Sequence, residues 1–182
     1  MTDTRKWYRE PETFIAVAAL VVSLTAVVVG IYEAWLQREH DRAEVWPHLE
    51  ISTWVSDSGV KLRVDNTGLG PAVVKSVGVT VDGKPERDWD AALTALYGHA
   101  PPSHSSATIF QHAVRPGDNT VLVGLRAQDM PPNLYRWVGR VTVRVCYSSV
   151  FDDKWTVIDT LGKSSRWQVV SDCPAQTANT DL

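Results

Sequence analysis

Residues 60–83 read VKLRVDNTGLGPAVVKSVGVTVDG. Val60, Leu62 and Val64 alternate with Lys61, Arg63 and Asp65, the two-residue period of a strand with one face in water. Asn66 through Pro71 is a cluster of turn formers. Val77, Val79 and Val81 then share one face of a second strand, which Asp82-Gly83 closes with a hairpin signal. Two strands, a turn and a hairpin within 24 residues make this part of the chain β-structure.

The same period continues outward. Leu49 and Ile51 alternate with Glu50 and Ser52. Residues 108–114, 120–126, 140–148, 155–161 and 166–170 are each rich in β-branched or aromatic residues and separated by turns such as Pro116-Gly-Asp-Asn119 and Phe151-Asp-Asp-Lys154. In the strongest of them Val141, Val143, Val145 and Tyr147 fall on the core face, with Thr142, Arg144 and Cys146 on the other. One stretch departs from this period. Trp89, Ala92, Leu93 and Leu96 follow the 3.6-residue period of a short helix, with Asp88 as N-cap and Gly98 as its stop. His99–Ser106 reads as a loop. About eight short strands with one helix predict a mainly β domain, an antiparallel sandwich of immunoglobulin-like type, with a small β-barrel as the alternative.

Ahead of this domain lies Thr13–Tyr32, TFIAVAALVVSLTAVVVGIY, twenty residues without a charge. At about 1.5 Å per residue they cover about 30 Å, the hydrocarbon thickness of a bilayer. Trp7, Tyr8, Tyr32 and Trp35 flank the span as interfacial aromatics do. Its apolar core is too long for a cleaved signal peptide, and the residues after it offer no small-x-small cleavage site. Residues 33–45 continue as a helical stalk without Gly or Pro, and Pro47 stops it. The organisation expected is thus an N-terminal flank (1–12), a transmembrane helix (13–32), a stalk (33–45), a β-rich domain (46–174) and a flexible tail (175–182).

Ala16, Ala19, Ser23, Ala26 and Gly30 recur at spacings of 3, 4, 3 and 4, a stripe of small residues that suits packing against a second copy of the helix. Arg5, Lys6 and Arg9 before the span outnumber Arg38 and Arg42 after it. This favours a cytoplasmic N-terminus and a domain outside, periplasmic for a protein of a bacterial inner membrane. Cys146 and Cys173 would form a disulfide there, or remain two separate buried thiols.

The run from Leu62 to Ala72, with Trp46-Pro47 after the stalk and Cys146-Tyr-Ser-Ser149 later, resembles a broad group of uncharacterised bacterial single-pass membrane proteins. They share an N-terminal anchor, a Trp-Pro and an N-x-G-x-G-P-A turn. The turn also looks like that of adhesion-type immunoglobulin-like modules, a likeness that implies positive φ at Gly68 and Gly70.

From Trp46 onward there are 13 Lys/Arg against 14 Asp/Glu with no cluster of either sign, which argues against nucleic acid as a partner. His99, His104 and His112 match no metal-ligand spacing. Asp152-Asp153 reads as a turn, and Ser103, Ser105 and Ser106 near His104 lack the elbow and oxyanion hole of a nucleophile. No enzyme activity, cofactor or metal is expected. Pro131, Pro132, Tyr135 and Trp137 form the expected contact loop, since aromatics anchor binding surfaces. The reading is a non-enzymatic, membrane-tethered interaction module that binds a protein or envelope component. The alternative is a ligand-sensing effector with a cytoplasmic domain, whose spans cluster on activation.

Overall fold

A computed structural model describes residues 11–131, 133–163, 165–176 and 182. The chain divides into two units, residues 1–43 and 44–182.

The first unit is carried by α1 (Pro11–Glu44), an uninterrupted helix of 34 residues, about 51 Å long at 1.5 Å per residue. It is long and apolar enough to cross a membrane. Its apolar side chains are exposed all round rather than packed in a core. Ser23 folds its hydroxyl back onto the Ala19 carbonyl, 2.8 Å away. Residues 1–10, with the flanking Arg5, Lys6 and Arg9, lie outside the described residues.

The second unit is a two-layer antiparallel sandwich. Its strands are β1 (Leu49–Ser56), β2 (Gly59–Asn66), β3 (Ala72–Val81), β4 (Lys84–Glu86), β5 (His104–Ser106), β6 (Ala113–Val114), β7 (Asn119–Arg126), β8 (Val141–Ser148), β9 (Lys154–Thr160) and β10 (Arg166–Val170). Among the described residues one sheet has the order β1-β2-β7-β5 and the other β10-β9-β8-β3-β4, with β6 also on β3. The first is the A-B-E-D order of an immunoglobulin sandwich, and β9-β8-β3-β4 is its G-F-C-C′ order. The fold is therefore the sandwich and not the barrel, with β10 added beyond the last standard strand.

The period-2 pattern fills the space between the sheets. Leu49, Ile51, Leu62 and Val64 face Val74, Val77, Val79, Val143, Val145 and Tyr147, all buried. Each such aliphatic side chain contributes about 1.5–3 kcal/mol on leaving water. Asp82 and Gly83 take φ values of 51° and 78°, the mirror-image turn that suits the twist of a hairpin. Helix α2 (Trp89–Tyr97) is capped by the Asp88 carboxylate, which accepts from Ala91 N, and ends at Gly98 with φ 72°.

Three local readings are corrected. Residues 104–106 of the expected loop form β5, because the backbone pairs with β7 at Leu125, Gly124 and Val123. The strand expected over 108–114 is confined to β6. There the chain instead turns Ile109 into the core, at 1 % exposure. The Pro131–Trp137 region carries a short helix, α3 (Leu134–Val138).

Cys146 and Cys173 are joined by a disulfide, with Cα atoms 5.7 Å apart. Cys146 belongs to the outer row Ser76–Cys146–Thr156 across β3, β8 and β9. All three are buried, so an outer face that alternation alone would give to water is covered. Beside it the backbone N–H of Val77 donates to Gln176 Oε1 at 2.8 Å, next to the β-bulge between Val74 and Ser76. Of the expected flexible tail, residues 177–181 lie outside the described residues. On either side of them, Gln176 makes that bond and Leu182 is buried in the core.

Candidate binding surfaces

The turn 66–72 and the segment after α1 are one structure. Asn66 is 1 % exposed, yet its amide is fully engaged. Oδ1 accepts from His48 N and Gly68 N, and Nδ2 donates to the carbonyls of Gly70 and Val114. The backbone adds Thr67 N to His48 O, and Leu69 N and Gly70 N to Trp46 O. A Cβ on Gly70 would stand 1.8 Å from Val45 O, and one on Gly68 would stand 2.3 Å from His48 N. Neither glycine has positive φ, which corrects the reason expected for them. They are glycine because two backbones touch there. Trp46-Pro47 and the N-x-G-x-G-P-A turn are thus two halves of one clasp.

On this clasp sits an aromatic face. The His48 ring lies between two indoles, with ring centroids 5.0 Å from Trp46 and 4.7 Å from Trp167. Trp167 Nε1 donates to Leu49 O at 2.7 Å, which fixes its ring across the open edge between β1 and β10. Both indoles keep about two fifths of their surface in solvent, and Leu69 and Val169 are more exposed still. Half-exposed aromatics stacked on one another, with the Trp167 N–H already bonded, have the make-up of binding anchors. Trp167 falls in the strand expected over 166–170, but nothing local marks His48, whose stacking partner Trp167 lies far along the chain. Trp54 is a further exposed indole, with the Arg63 guanidinium 4.9 Å above its ring.

The expected contact loop has another position. Pro131 is buried and Trp137 half-buried, and Trp137 meets Tyr97 edge-on at 4.3 Å. Tyr97 donates its hydroxyl to Asp129 O at 2.6 Å; burial, then the Asp129 charge, pushes its pKa up. Pro132 and the Tyr135 side chain lie outside the described residues. Together with α2 this segment walls an apolar cavity of about 70 Å³, lined also by Val60, Leu62, Val123 and Trp89.

The other polar candidates are engaged in local structure. His104 directs Nδ1 to Pro102 O and Nε2 toward the Asp90 carboxylate, 3.6 Å away, so neither ring nitrogen is turned to Ser103, Ser105 or Ser106. His99 packs on Tyr97. Asp152 has φ 64° in a turn held by the Ser149 hydroxyl, which accepts from Phe151 N and Asp153 N. Among the described residues, no three His, Cys, Asp or Glu side chains are grouped to hold a metal. Asp159 is buried with its carboxylate accepting from the Ser165 hydroxyl; burial raises its pKa, and that bond opposes the rise. Ala16, Ala19, Ala26 and Gly30 lie exposed on α1 with Ser23.

No family model, curated protein or solved structure matches this chain.

Proposed function

We propose that the protein is a non-enzymatic interaction module tethered to a bacterial inner membrane, with its immunoglobulin-like domain on the periplasmic side. The observation that carries this reading is the aromatic face on the clasp, where the half-exposed Trp46 and Trp167 enclose His48 beside the exposed Leu69. The disulfide supports the compartment, because such bonds persist where thiols are not kept reduced. The partner is a protein or envelope component that buries this face.

A photo-crosslinking residue at position 69 in the full-length chain, expressed in cells, tests the reading. A discrete adduct is expected. It should disappear when Trp46 and Trp167 are both replaced by alanine, and should not form from position 84 in the remote hairpin. Adducts of equal yield from positions 69 and 84 would contradict it.

A further inference from the structure

Gly78, Arg144, Ile158 and Arg166 stand opposite one another across β3, β8, β9 and β10, and Thr80, Thr142 and Thr160 form the next row. Residues directly opposite in paired strands share a face. Their neighbours along the strands, Val79, Val143 and Val157, are buried in the core, so both rows face outward. The row on the other side, Ser76–Cys146–Thr156, is buried, whereas Arg144 and Arg166 are exposed.

The turn after β9 adds a third cation. Lys163 N donates to Thr160 O at 2.9 Å, and Gly162 takes φ 82°, so the chain doubles back and sets Lys163 beside Thr160. Ile158, Thr160, Lys163 and Arg166 line a notch of about 250 Å³. Arg144 stands one strand away, on the other side of Ile158.

Elsewhere in the domain Arg63, Arg126, Arg140 and Lys154 each have a carboxylate partner. The side chains of Arg144, Lys163 and Arg166 have none among the described residues, and neither outward row contains Asp or Glu. Three like charges on one face repel one another, and an anion among them relieves that repulsion. They are too far apart in the sequence to show as a charge cluster; the pairing of β8, β9 and β10 assembles it.

The donors indicate which anion. A carboxylate offers two oxygens and one charge, whereas a phosphate monoester offers three oxygens and up to two charges. The notch presents the guanidinium fork of Arg166, the Lys163 ammonium and the Thr160 hydroxyl. The Thr142 hydroxyl lies 2.9 Å from that of Thr160; with Thr142 donating, the Thr160 hydrogen is left for a ligand.

We propose that this notch binds the phosphoryl group of a phosphate monoester, held by Lys163, Arg166 and Thr160, with Arg144 adding charge across Ile158. Arg166 and Trp167 are consecutive and point to opposite faces of β10, so the site is separate from the aromatic face and does not depend on the function proposed for it.

The test uses full-length protein with carbon-13 threonine methyl groups in phosphatidylcholine nanodiscs, read by NMR. Thr160→Ser, which keeps the hydroxyl and lacks the methyl, identifies the Thr160 signal. The probes are inorganic phosphate and acetate, at constant pH and at an ionic strength held with chloride. The expected result is a saturable shift with phosphate and about ten-fold weaker binding of acetate. Lys163→Gln and Arg166→Gln should each weaken phosphate binding about ten-fold, and Arg144→Gln about three-fold. Lys61→Gln, which removes the same charge from the other sheet, should leave it unchanged. No saturable shift would overturn the proposal, as would equal affinity for phosphate and acetate, or a loss from Lys61→Gln as large as that from Arg166→Gln. Once phosphate binding is seen, nanodiscs containing phosphatidic acid identify its source. A Thr160 signal already at its phosphate-bound position would assign the site to a lipid headgroup, and an unshifted signal to a phosphate ester outside the bilayer.

Discussion

Asn66 and Trp89 are both nearly inaccessible to water, and both carry polar side-chain atoms. At the clasp, every hydrogen-bonding atom of the Asn66 amide has a partner, and two glycines let the backbone of residues 45–48 lie against the turn. At the α2 end, the indole N–H of Trp89 is buried with none. A fully satisfied polar group fixes one geometry and has nothing left to offer a ligand. An unsatisfied one costs stability. The clasp therefore holds the aromatic face in one geometry, and the Trp89 N–H is a local cost that the packing around α2 carries.

The largest expected effect breaks the clasp. Gly70→Ala sets a methyl group 1.8 Å from Val45 O, and backbone cannot yield as a flexible side chain can. A loss of about 4 kcal/mol or more is expected in thermal or denaturant unfolding. Gly78→Ala, whose Cβ would meet nothing within 4 Å, should leave stability nearly unchanged. Similar losses in both would refute the close-approach reading of Gly70.

Asn66→Ala comes next. It strips the partners from two backbone N–H groups and two carbonyls around a buried site, at a cost of about 2–3 kcal/mol. Trp89→Phe sharpens the contrast: it removes an unpaired donor and a modest amount of packing, two terms of opposite sign. A net change within about 1 kcal/mol is expected. A loss from Trp89→Phe as large as that from Asn66→Ala would mean that the indole N–H is satisfied, and the comparison would fail.

The smallest effect concerns pH. Burial raises the Asp159 pKa above its unfolded value. The folded state therefore binds the proton more readily, and this residue's contribution improves as pH falls from neutrality through its folded pKa toward its unfolded value. Asp159→Asn should be relatively more stable than wild type at pH 7 than at pH 4, in denaturant titrations at both values. Asp82 has the opposite sign, because its hydrogen bond and charge pairing with Arg140 lower its pKa; being present in both proteins, it cancels in the difference. A stability difference between wild type and variant that is the same at both pH values would contradict the assignment.

Much of the scaffold was legible in the residues because it rests on local chemistry. Val141, Val143, Val145 and Tyr147 could be assigned to the core by alternation alone, Asp82-Gly83 to a hairpin by its tolerance of positive φ, and Asp88 and Gly98 to helix ends by capping. What escaped depends on distant partners. His104-Ser-Ser106 has no strand propensity and becomes a strand because β7 is beside it. Thr108–Val114 has the composition of a strand, yet the core takes Ile109 from a loop. Gly68 and Gly70 were legible as necessary, but the reason, contact with residues 45–48, required the fold. The aromatic stack and the cavity join residues from several elements, and no local pattern marks such meetings.

The proposed placement of the sandwich on the oxidising side of a membrane rests on the Cys146–Cys173 disulfide. The chain has two cysteines, so their state in cells can be read without ambiguity. Cells expressing the full-length protein would be quenched in acid, and the protein treated with a polyethylene-glycol maleimide with and without prior reduction. The account predicts no mass-shifted species before reduction and two additions per chain after it. Two additions without reduction would mean free thiols in the cell. That result would contradict the periplasmic placement and bring forward a cytoplasmic ligand-sensing domain in its place.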